Sequence, residues 1–99
     1  MPREPLDQVA AGCAAIAAWV EERKPQTALL ARFEEVRALC EQAAARERSA
    51  LLKGWLANMS EALRTWQNVW PRLGTQQEFR LAVAREARLW GKRLVERTR

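Results

Sequence analysis

Four basic residues near the end of the chain have the spacing with the most chemical content. With Arg85 as origin on a helical wheel, Lys92 falls near about −20°, Arg99 near about −40° and Arg88 near about −60°. Phe79, Val83, Ala87, Trp90 and Leu94 form an apolar stripe centred about 150° away, so the bases should face solvent. Arg85 with Arg88, and Arg88 with Lys92, are like-charge pairs at one-turn spacing, each destabilising a helix by a few tenths of a kcal/mol. Glu78 and Glu96 lie near the ends of this face, and no acid interrupts its middle. Such a row suits a phosphate backbone contacted without base reading. It also suits an acidic protein or membrane surface. The plain alternative is a solvated face that only keeps the chain dispersed.

Other side chains carry little catalytic potential. Histidine is absent, which removes the commonest general base and neutral metal ligand. Cys13 and Cys40 are the only cysteines, and no Cys-x-x-Cys or Glu-x-x-His pattern occurs. Gly12, Gly54, Gly74 and Gly91 stand singly, so no glycine-rich phosphate loop is present. Glu21-Glu22 and Glu34-Glu35 are adjacent pairs, whose side chains diverge by about 100° on a helix and do not converge on one atom. The expectation is a protein that is not an enzyme, with no metal and no cofactor. Five tryptophans could stack on nucleobases, but Trp55, Trp66, Trp70 and Trp90 fall on apolar helix faces and read better as core.

The elements that position these residues are helical. Alanine, leucine, arginine and glutamate dominate, and β-branched residues are sparse. The expected fold is all-α, one domain over residues 1–99, built as a small bundle of about four helices. The first should span about residues 5–24, with Leu6, Val9, Cys13, Ile16 and Val20 on its apolar stripe. No charge occurs between Val9 and Val20, and the far side is alanine-rich. A helix bland all round is central or covered. Ala11, Ala15, Ala18 and Trp19 are therefore a candidate interface for a protein partner or for self-association.

Pro25 interrupts, and Thr27 can cap a second helix over about 27–46 bearing Leu29, Phe33, Val36, Cys40 and Ala43. After the polar stretch Arg46-Glu47-Arg48-Ser49 a second stripe starts in a shifted phase, from Leu52 to Trp70. This predicts a break and a third helix over about 50–70, rather than one long helix. Pro71 and Gly74 should end it. Thr75 and Glu78 have capping-box spacing, opening a fourth helix over about 75–97.

The net charge is +5, and residues 75–99 hold seven bases against three acids. That asymmetry points to an acidic partner. No apolar run approaches the ~20 residues of a membrane span, and no secretory leader is evident at the start, so a cytoplasmic location with reduced cysteines is expected. In length, helicity and basic charge the chain resembles the small helical subunits of CRISPR surveillance complexes. It is equally similar in character to phage and plasmid accessory proteins. The resemblance, which is one of overall character and covers no specific residues, implies a noncatalytic subunit that braces a nucleic-acid strand; the face expected to meet the backbone is the basic stripe of Arg85, Arg88, Lys92 and Arg99. The alternative is an adaptor or inhibitor whose basic face meets an acidic protein.

Overall fold

The computed structural model describes residues 5–98, with side chains from 5 to 97. Four helices follow in order: α1 (Pro5–Glu21), α2 (Gln26–Arg46), α3 (Ala50–Leu73) and α4 (Gln77–Thr98). They form an all-α bundle with a radius of gyration of 13.0 Å, and no strand occurs among the described residues. α1 packs against α4 on one flank and α2 on the other, and α2 folds back on α3. The break before residue 50 is thus a hairpin. Ser49 is its N-cap, its Oγ accepting from the Leu52 amide at 3.3 Å.

Three element ends differ from the sequence expectation. α1 stops at Glu21, three residues early, because Arg23 takes a left-handed backbone with φ 57°. The Lys24 amide then donates to the Trp19 carbonyl at 3.1 Å and the Arg23 amide to Val20 at 3.2 Å. This is the Schellman closure in which glycine is usual. α2 begins at Gln26 with Pro25 at the N-cap, which places Thr27 inside the first turn rather than at the cap. α3 runs through Pro71 and closes on Gly74, whose amide donates to the Trp70 carbonyl at 2.7 Å. Proline late in a helix removes only one internal bond, the one to the Gln67 carbonyl.

The capping box does not form. The Arg80 amide donates to the Gln76 carbonyl at 3.1 Å, which makes Gln76 the cap. Thr75 is exposed and makes no side-chain hydrogen bond with a described residue. Another residue fixes this end of the bundle. Arg80 is only 8% exposed and donates from Nη1 to the Gly74 carbonyl at 2.6 Å and from Nη2 to the Val20 carbonyl at 2.8 Å. One guanidinium thus reaches carbonyls at the C-terminal ends of both α1 and α3, sharing that of Val20 with the Arg23 amide. Burial, and secondarily the nearby Arg23, pull its pKa below the usual arginine value.

The core combines Val9, Cys13, Ile16, Leu29, Phe33, Val36, Leu56, Leu63, Val83 and Leu94 with smaller residues. Its seams differ in width. A Cβ added to Gly91 would lie 3.2 Å from the Ala10 carbonyl oxygen, so α4 meets α1 almost backbone to backbone. A Cβ on Gly12 would lie 2.7 Å from a Val36 methyl, which makes the α1–α2 approach close as well. α3 and α4 are held by large rings instead. Trp66 stacks on Trp90 with centroids 5.1 Å apart and planes at 14°, and Trp70 meets Phe79 at 5.4 Å.

Candidate functional site: the solvent face of α4

The tight α1–α4 seam decides which part of α4 meets solvent. Val83, Ala84, Ala87, Gly91 and Leu94 turn inward, and Arg85, Arg88 and Lys92 stand exposed on the outer side, where the wheel puts them. Arg99 lies outside the described residues. Arg85 and Lys92 make no ion pair or hydrogen bond with any described residue. Arg88 does: its Nη2 donates to Glu21 Oε1 across the α1–α4 seam, and this carboxylate raises its pKa. One of the three described bases is therefore committed to an internal partner.

The face is not purely basic. Leu81 is 49% exposed and Leu89 37%, and both lie among the arginines on the outer side of α4. With Ala84 they line a shallow groove of about 500 Å³ whose polar margin is Arg85, Arg88, Lys92 and Glu21. At i and i+8 they lie on one i±4 ridge, about 80° apart around the axis with Arg85 between them. No signal in the hydrophobic stripe singles them out, since their phase falls opposite the core.

On the other side of Arg88 a second groove, of about 580 Å³, runs along the seam with α1. Ala10, Ala11, Ala14 and Gly91 line it, with Asp7 and Glu96 as acids beside Lys92. The proposed α1 interface thus divides. Ala11 is exposed and lines this groove, whereas Ala15 and Ala18 are half-buried. Trp19 is half-buried too, packed against the core with the Arg32 guanidinium 4.2 Å above its ring. That placement occupies the indole between α1 and α2. The buried Arg32 Nε has no hydrogen-bond partner.

No protein-family model, curated protein or solved structure matches the chain.

Two core thiols and one surface carboxylate also have shifted pKa values. Cys13 and Cys40 are buried free thiols, each pushed up to about 12, chiefly by burial. Thiols held protonated are poor nucleophiles and poor metal ligands. Glu34 is held below the usual carboxylate range, first by hydrogen bonds from Arg37 and then from Gln67. It belongs to an exposed ion-pair row with Arg37 and Glu41 along α2. Among the described residues, no three His, Cys, Asp or Glu side chains gather in one place. The face of α4 offers positive charge and apolar surface together.

Proposed function

We propose that this chain is a noncatalytic docking subunit whose α4 face binds an acidic protein segment. The observation that carries the reading is the exposure of Leu81 and Leu89 between Arg85, Arg88 and Lys92. A phosphate backbone gains from the cations but would dehydrate the leucines without replacing their contacts. An amphipathic acidic helix uses both: its apolar residues cover Leu81 and Leu89, and its carboxylates meet Arg85 and Lys92. Binding of a nucleic-acid backbone to the same basic residues is the competing outcome.

Two substitution sets separate them. A synthetic helical peptide bearing leucine and glutamate on one face should bind the native chain. Leu81→Ser with Leu89→Ser should remove most of that binding, and Arg85→Gln with Lys92→Gln should weaken it. For a duplex oligonucleotide, three phosphate contacts would give a slope of about −3 in log affinity against log salt, indifferent to the leucine changes. Duplex binding with that slope, together with peptide binding unaffected by the serine pair, would overturn the proposal. All four changed side chains are exposed, so the fold should survive.

A further inference from the structure

The opposite flank of α4 holds a second feature. Near the α3–α4 turn the gap between the two helices is filled by Trp70 on Phe79, then by Trp66 on Trp90. Farther from the turn nothing comparable fills it. A cleft of about 430 Å³ remains there, within the size range of small-ligand sites. Met59 and Leu94, both buried, belong to its apolar lining. Trp55 and Trp90 contribute aromatic surface. Trp66 already stacks on Trp90 and holds that indole in place. Trp55, half-buried, has no ring partner, cation or hydrogen bond among the described residues.

The charges around the cleft are also uncommitted. Glu86 and Arg93 line it, and neither makes an ion pair with a described residue. Arg93 and Trp55 also line an adjoining hollow with Arg97 and Glu96. Cleft and hollow together therefore run from the Glu86 carboxylate on the side toward the turn, past Arg93, to Arg97 and Glu96 at the end of α4. Seven residues separate Glu86 from Arg93, a rise of about 10 Å along the helix. A nucleoside monophosphate has about that length between the amino group of its base and its phosphate.

We infer that this cleft binds one nucleotide unit, its base against Trp55 and Trp90 and its phosphate on Arg93 and Arg97. Tryptophan faces stack on any base. Glu86 accepts hydrogen bonds from an exocyclic amino group, and arginine forks match phosphate oxygens. Glu96 beside Arg97 reduces the local positive charge, which favours a single phosphate group over a run of them. The ligand chemistry is shared by a free mononucleotide and by one nucleotide of a single strand. The site is distinct from Leu81 and Leu89, so it stands or falls independently of the docking face.

The test follows the five indole N–H resonances of nitrogen-15-labelled protein during titration. Adenosine 5′-monophosphate should shift Trp55 and Trp90 saturably and leave Trp19 unmoved. Adenosine alone and inorganic phosphate alone should each bind at least about tenfold more weakly, since each keeps only half of the contacts. Uridine 5′-monophosphate, which lacks an exocyclic amino group, should also bind more weakly. Arg93→Gln with Arg97→Gln changes exposed residues, preserves the fold and should weaken mononucleotide binding about tenfold. A short oligo-deoxyadenylate distinguishes the source. Tighter binding than the mononucleotide assigns the site to strands, and equal or weaker binding assigns it to free nucleotides. No saturable shift of Trp55 up to about 1 mM ligand, or a shift unchanged by the arginine pair, overturns the inference.

Discussion

The two flanks of α4 solve the same packing problem in opposite ways. Toward α1 it presents Ala84, Ala87 and Gly91, and the helices touch closely enough that a single Cβ at Gly91 would press on the Ala10 carbonyl. Toward α3 it presents Phe79 and Trp90, and stacked rings span the distance that the backbones leave. Small residues bring the two backbones together and leave only an open groove at the outer edge of the seam. Large rings close a seam only where they stand, so the stretch between Trp55 and Leu94 remains open as a cleft. The tight flank leaves function to the outward side chains, whereas the wide flank has an interior.

The largest expected effect tests the wide seam. Trp66→Ala removes the ring that stacks on Trp90 and tilts against Phe33, 6.0 Å away. Loss of about 3 kcal/mol is expected in urea unfolding, the low end for a tryptophan truncation because Trp66 is only half-buried. A loss below about 1 kcal/mol would mean that the rings cover the seam without holding it.

The tight seam is tested by one substitution at two glycines. Gly54 is exposed, with nothing within 4 Å of an added Cβ, so Gly54→Ala should stabilise α3 by about 1 kcal/mol through helix propensity. Gly91→Ala gains the same propensity but forces α4 away from a backbone atom that cannot rotate aside, at a cost of about 1–3 kcal/mol. The two variants should shift the denaturation midpoint in opposite directions. If both stabilise, the α1–α4 contact is looser than the geometry indicates.

Dryness of the core has a pH signature. The folded pKa of Cys13 and of Cys40 lies near 12 against the ordinary 9.0, so each native thiol stays protonated where the unfolded thiol ionises. Their contribution is fully present below pH 9.0 and is lost as pH rises from 9.0 toward 12. At pH 10 each thiol should cost about 1 kcal/mol of stability relative to neutral pH. Cys13→Ala should flatten that decline by about half. An unchanged alkaline decline in this variant would show that the α1 thiol is reached by water.

The smallest expected effect lies at the outer edge of the tight seam. Glu21 and Arg88 pair across it with side chains 50% and 57% exposed. Glu21→Gln should cost under about 1 kcal/mol, since exposed pairs contribute little. It also frees Arg88 and removes a negative charge, so acidic-peptide affinity should rise. Weakened peptide binding in this variant would place Glu21 itself in the docking contact.

Periodicity in the sequence determined the four helices, their inward stripes and the solvent placement of Arg85, Arg88 and Lys92. These follow from a 3.6-residue repeat that each helix carries by itself. The phase slip before Leu52 likewise revealed the hairpin between α2 and α3. The failures occurred where one element answers another. The Thr75 and Glu78 spacing matched a capping box, yet Gln76 caps α4, and Arg80 reaches carbonyls of Gly74 and of Val20, 60 residues away. Glu21 meets Arg88 across 67 residues. Leu81 and Leu89 lie off the apolar stripe, and only the packed bundle shows them in the open beside Arg85. The unequal seams are also tertiary. A wheel gives the direction of a side chain from its own axis, but the distance to the next axis depends on the residues of both helices at the contact. Gly91 against Ala10 and Trp90 against Trp66 set that distance, and with it whether α4 borders a closed wall or a cleft.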